Sequence, residues 1–147
     1  MVENFVVKDF ICKKVICGDS NIWHYFLEKN CTIFHKYYEM NNHLVEVIVH
    51  ENITFQNNIS KISDYLIWLG TKCKDILIEY FNENMITEKI EKDKIIDDKW
   101  YKDLECNYIG IGINSKSVMT GSIVCKDRGK ELNIRTYENE ILGMYFI

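Results

Sequence analysis

The chain has 147 residues and a mass of 17.5 kDa, which fits one core, since two cores of about 70 residues each would be marginal. Hydrophobic residues at 47% and aromatics at 13% exclude a disordered chain. A formal net charge of -4 and a pI near 5.6 exclude broad binding to nucleic-acid phosphates, which needs clustered Lys and Arg, and suit a basic protein partner.

No segment approaches the roughly 18 apolar residues of a membrane span. The amino terminus meets Lys8 and Asp9 before a signal-peptide core can form. A cytoplasmic protein is expected, its six cysteines held as thiols by that compartment. With no proline in the chain, turns fall to Gly, Asn and Asp.

In chain order, Asn4 to Lys8 reads as a short strand, and Phe10 to Cys17 as a second one that stops at the turn formers Gly18-Asp19-Ser20-Asn21. Ile22 to Glu28 follows, with Trp23, Tyr25 and Leu27 on one face and His24 on the other, completing a hairpin. Cys31 to Met40 reads as one strand. Asn41-Asn42 then turns it into a partner over His43 to Glu51, where Val45, Val47 and Val49 alternate with Glu46 and Ile48.

A long helix is predicted from Ser60 to Phe81, capped by Asn57, Asn58 or Ser60. Its stripe of Ile62, Tyr65, Leu66, Leu69, Cys73, Ile76, Leu77 and Phe81 recurs at steps of three and four. Gly70 within it marks a kink or a close helix–sheet contact. A short helix from about Asp97 to Leu104 is capped by Asp97 or Asp98 and turns Trp100, Tyr101 and Leu104 inward.

Four antiparallel strands close the chain: Cys106 to Asn114, Val118 to Cys125, Glu131 to Tyr137 and Ile141 to Ile147. In the first of them Ile109, Ile111 and Ile113 oppose Tyr108, Gly110 and Gly112, so the glycines are expected beneath the helix or at a bulge. Antiparallel strands, then one long and one short helix, then a four-stranded run define a single α+β domain over residues 1–147.

Motifs for chemistry are sparse. Cys17 before Gly18 and Cys31 near His35 are the candidates for a thiol nucleophile, and buried thiols explain the same residues. His24, His35, His43 and His50 are scattered, and no C-x-x-C or H-x-x-x-H spacing occurs, so no metal is expected. Gly110-Ile111-Gly112 lacks the third glycine and the following helix of a dinucleotide loop, so no cofactor is expected either. Carboxylates beside aromatics are the pattern of a protein-binding patch that steers a basic ligand, and Glu88, Glu91, Asp97, Asp98, Trp100, Tyr101, Asp103 and Glu105 form that pattern.

The helix with Trp68, the helix with Trp100 and the terminal strands ending Ile141-Leu-Gly-Met-Tyr-Phe-Ile147 give residues 43–147 a layout that resembles small uncharacterised bacterial α+β proteins, some of them immunity proteins against toxins of competing cells. The resemblance is one of element order and size. It implies a non-catalytic protein that binds and blocks a toxin domain. A small Cys/His enzyme and a structural or assembly protein are the alternative readings of the same chain.

Overall fold

The computed structural model describes the backbone of residues 4–17, 20–41, 43–86 and 96–147, and all their side chains except those of 15–17, 20 and 21. β1 (Phe10–Cys17) and β2 (Ser20–Leu27) pair antiparallel along their length, from Phe10 opposite Leu27 to Cys17 opposite Ser20. This is the expected hairpin, with Gly18 and Asp19 of its turn outside the described residues. Later in the chain, β6 (Glu105–Ile113), β7 (Met119–Asp127), β8 (Lys130–Tyr137) and β9 (Glu140–Phe146) form the expected antiparallel run, each strand paired with the next.

β5 (Val45–Val49) joins the two ends of the chain. It lies antiparallel to β2 on one side and parallel to β6 on the other, with Val45 beside Ile109 and Val49 beside Ile113. The result is one seven-stranded sheet in the order β1-β2-β5-β6-β7-β8-β9. Parallel neighbours cannot be joined by a tight turn. Here the crossover contains all three helices: α1 (Phe55–Thr71), α2 (Lys74–Asn84) and α3 (Asp98–Asp103).

Strand alternation sorts the side chains into two faces. Val45, Val47, Val49, Ile109, Ile111, Ile113, Ile123 and Ile134 are buried beneath the helices, each worth about 1.5–3 kcal/mol relative to exposure. Tyr25 stacks on Phe55 at 3.9 Å between centroids, and the Tyr65 and Thr136 hydroxyls share a buried hydrogen bond of 2.6 Å, which together tie α1 across the sheet. The residues between the buried ones, among them Glu46, Ile48, Tyr108, Gly110 and Gly112, face the other way and are partly exposed. No helix among the described residues is long and apolar enough to cross a membrane.

Several expectations are corrected. The segment at Asn4 to Lys8 is no strand: Val7–Asp9 makes a turn of 3-10 helix, and Phe5 is buried with its N–H donating to Ser63 Oγ at 2.9 Å. Cys31 to Met40 folds on itself into β3 (Cys31–Ile33) and β4 (Lys36–Tyr38), a separate two-stranded sheet, so β5 takes β2 and β6 as partners instead. Phe34 and His35 form the intervening turn at φ 53° and 60°, a region costly for non-glycine residues. Their N–H groups donate to Leu69 O and Gly70 O at 2.9 and 2.8 Å, satisfying carbonyls at the end of α1.

The single helix from Ser60 to Phe81 is two helices. α1 begins earlier, at Phe55, which places Asn57, Asn58 and Ser60 inside it rather than at its cap. It ends where Lys72 leaves helical geometry and Cys73 is fully buried. The close approach anticipated at Gly70 is real: a Cβ there would lie 2.6 Å from Thr32 O. The glycines of β6 lie on the face opposite the helices, and the Tyr108 ring folds over Gly110, 2.9 Å from where a Cβ would stand.

Gly70→Ala therefore sets a helix-propensity gain of about 1 kcal/mol against a clash with backbone that has nowhere to move. The clash prevails. Urea denaturation is expected to show a net loss of about 1–3 kcal/mol, and an increase in stability would contradict the docking of the β3–β4 hairpin on α1.

Candidate functional site

The six residues of α3 are too few to hold a helix without tertiary support. Asp97 caps it, its side chain accepting from Lys99 N–H at 3.0 Å, and Ile96 is clasped by Asn82 through two hydrogen bonds of 2.9 and 3.1 Å. Two aromatics pin it from within. Trp100 lies against Phe81 at 4.9 Å between centroids, and Tyr101 meets Phe34 and His35 edge-on at 5.7 and 5.5 Å.

Spacings of three put Asp97, Trp100 and Asp103 on one face of the helix. These three, with Ile96 and Lys99, line a recess of about 380 Å³ whose far wall is Asp127 and Arg128 of the β7–β8 turn. Asp127 is already neutralised, since its buried carboxylate receives Arg128 Nε at 2.9 Å and Nη2 at 3.2 Å. Asp97 and Asp103 are exposed and have no cation within salt-bridge distance among the described residues. Trp100 Nε1 is buried without a hydrogen-bond acceptor among those residues. The recess thus places two carboxylates, without a paired cation among the described residues, around an indole, a setting for a cationic side chain.

The predicted patch divides accordingly. Asp97, Trp100 and Asp103 come together. Asp98 turns away to Lys74, 3.4 Å from it on an exposed surface, and Glu105 is exposed at the start of β6, opposite Lys126. Glu88 and Glu91 lie outside the described residues. Tyr101, 1% exposed, serves the core and presents no surface to a partner, while Trp100, 6% exposed, lines the recess from within the core. A short helix that needs tertiary support spends its aromatics inward. Asp127 and Arg128 were not singled out by the sequence, where Arg128-Gly129 signals a turn without saying what it faces.

A second polar group occupies the sheet face without helices. Glu46 on β5 bridges His24 Nδ1 on β2 and the Tyr108 hydroxyl on β6, which donates to it at 2.8 Å. Burial, with the Glu46 bond next, pushes Tyr108 up to about 12. Among the described residues none of the three side chains is hydrogen-bonded to a Ser, Thr or Cys side chain, the Cys106 thiol donating to the Tyr108 carbonyl instead, so the group clasps three strands. The His43 ring lies tilted against Phe26 at 4.3 Å between centroids, His50 Nδ1 accepts from Asn52 N–H, and no three His, Cys, Asp or Glu among the described residues converge as metal ligands.

Cys31, Cys73, Cys106 and Cys125 are buried, while Cys12 is exposed. Burial pushes Cys31 and Cys73 up to about 12, and Cys125 is raised by its hydrogen bond to Cys106 and by burial. Cys31 is enclosed while His35, in the turn beyond it, is exposed with its ring against Tyr101. The Cys17 side chain lies outside the described residues. No family model, curated protein or solved structure matches the chain.

A thiol raised from 9.0 to about 12 stays protonated in the folded chain while the unfolded chain releases its proton. The stability linked to Cys31 and Cys73 is then complete below about pH 9 and lost as pH rises toward 12. The urea midpoint is expected to fall across that window, and to fall less steeply in a Cys31→Ala/Cys73→Ala variant. Equal slopes would show that these thiols ionise normally in the folded state.

Proposed function

We propose that this chain is a non-catalytic protein-binding module of the immunity or inhibitor kind, acting in the cytoplasm and neutralising a basic toxin domain by covering it. The observation that carries the reading is the recess beside α3, where Asp97 and Asp103 flank Trp100 with no cation within salt-bridge distance of either among the described residues. A Lys or Arg side chain of the partner inserts there, its charge facing the carboxylates and its stem lying along the indole. The net charge of -4, with exposed Asp98 and Glu105 nearby, steers such a partner toward this side.

The thiols support the same reading. A cysteine nucleophile needs a depressed pKa, and Cys31, Cys73 and Cys125 are all displaced the other way.

Calorimetric titration of the chain against the product of the adjacent gene tests the proposal, because immunity proteins are encoded beside their toxins. Asp97→Asn/Asp103→Asn keeps the helix cap yet removes both charges, and is expected to raise Kd by about tenfold to a hundredfold and to flatten its salt dependence. Asp98→Asn, which alters a carboxylate outside the recess, is expected to change Kd by less than about twofold. Absence of nanomolar binding, or a double variant that binds as tightly as the parent, would refute the assignment.

A further inference from the structure

The two ends of the seven-stranded sheet are built differently. At one end β1 carries Lys13 and Lys14, whose ammonium groups sit 5.5 and 5.4 Å from the centres of the Phe26 and Trp23 rings. Lysines on an edge strand oppose pairing with another chain. At the other end β9 has Glu140 as its sole charge and no such guard. Leu142, Tyr145 and Phe146 are 62%, 41% and 37% exposed, and Ile147 beyond them 76%.

The backbone of β9 is open as well. Ile147 N–H donates to Glu131 O at 3.0 Å, which fixes the phase of the ladder with β8. By the alternation of an antiparallel pair, the N–H and C=O groups of Met144 and Phe146 then point away from β8. Among the described residues no strand receives them. Gly143 stands at the register shift between Arg135 and Thr136, a place that glycine suits within the chain, and a Cβ there would meet nothing within 4 Å.

We propose that β9 pairs antiparallel with β9 of a second copy of this chain, joining two seven-stranded sheets into one closed dimer. Pairing of β9 with β1 of the next copy would run on as an open filament, and the β1 lysines oppose it. Self-pairing closes after two copies. With the two-fold axis near Tyr145, Met144 of one copy faces Phe146 of the other, so outward donors meet outward acceptors. With this axis residues 143–147 of each copy pair, and the two Glu140 carboxylates lie beyond opposite ends of that ladder, so no like charges oppose each other.

Sedimentation equilibrium of the full chain at about 100 μM, enough to populate any dimer of micromolar Kd, tests this. The expected mass is twice 17.5 kDa for the parent and for Ile11→Lys, and 17.5 kDa for Leu142→Lys/Ile147→Lys with an unchanged circular dichroism spectrum. Should that double variant fail to fold, amide exchange of the parent decides: the Met144 and Phe146 amides exchange at least about tenfold more slowly in concentrated than in dilute solution. A monomeric parent, a dimer that survives the double substitution, a dimer lost in Ile11→Lys, or concentration-independent exchange at both amides would overturn the proposal.

Discussion

The parallel pairing of β5 with β6 is the constraint from which the rest of the architecture follows. Every other neighbouring pair in the large sheet is antiparallel and is linked by a turn or by the short excursion through the β3–β4 hairpin. Strands that run the same way require the chain to return over the length of the sheet, and the described residues of that return hold three helices. A single crossover covers a single face. The valines of β5 and the isoleucines of β6 are enclosed on that side, while the opposite side keeps a Glu, a His and a Tyr hydrogen-bonded to one another at partial exposure.

Where the sequence is strongly periodic, it reads correctly. Phe10–Cys17 and the four carboxyl-terminal strands lie where alternation and turn residues put them, because each is specified by neighbours within a few residues. The failures are contacts at long range. No Gly, Asn or Asp marks Phe34-His35 as a turn, and the two residues hold positive φ where the carbonyls of Leu69 and Gly70 receive their N–H groups. The division of the long helix at Lys72-Cys73 has no proline to announce it. Gly70 does carry a signal, and its meaning is the backbone of Thr32 on its other side. The parallel partner of β5 is equally illegible, because period two gives the face of a strand and not its neighbour.

The recess beside α3 was half legible. The cap at Asp97 and the inward turn of Trp100 and Tyr101 follow from residue types and spacing, and the same spacing places Asp97 and Asp103 on the face of Trp100. Hidden from the sequence was which carboxylates would already be engaged. Asp127 is paired by its own neighbour and Asp98 turns to Lys74 on α2, whereas Asp97 and Asp103 have no cation beside them among the described residues. The clasp of His24, Glu46 and Tyr108 is a third case, drawn from three strands that no sequence separation would group.

Phe81 connects the two surfaces for which binding is proposed. Its ring lies 4.9 Å from Trp100 and 6.3 Å from Phe146 between centroids, and the Arg128 guanidinium carbon is 6.0 Å from its centre. One buried side chain of α2 therefore touches the floor of the recess, its far wall and the open edge of the sheet. Close-packed interiors transmit displacement because no neighbour can shift into empty space. The charged recess and the apolar edge are for that reason built on one packed cluster, joined by a side chain that carries no charge.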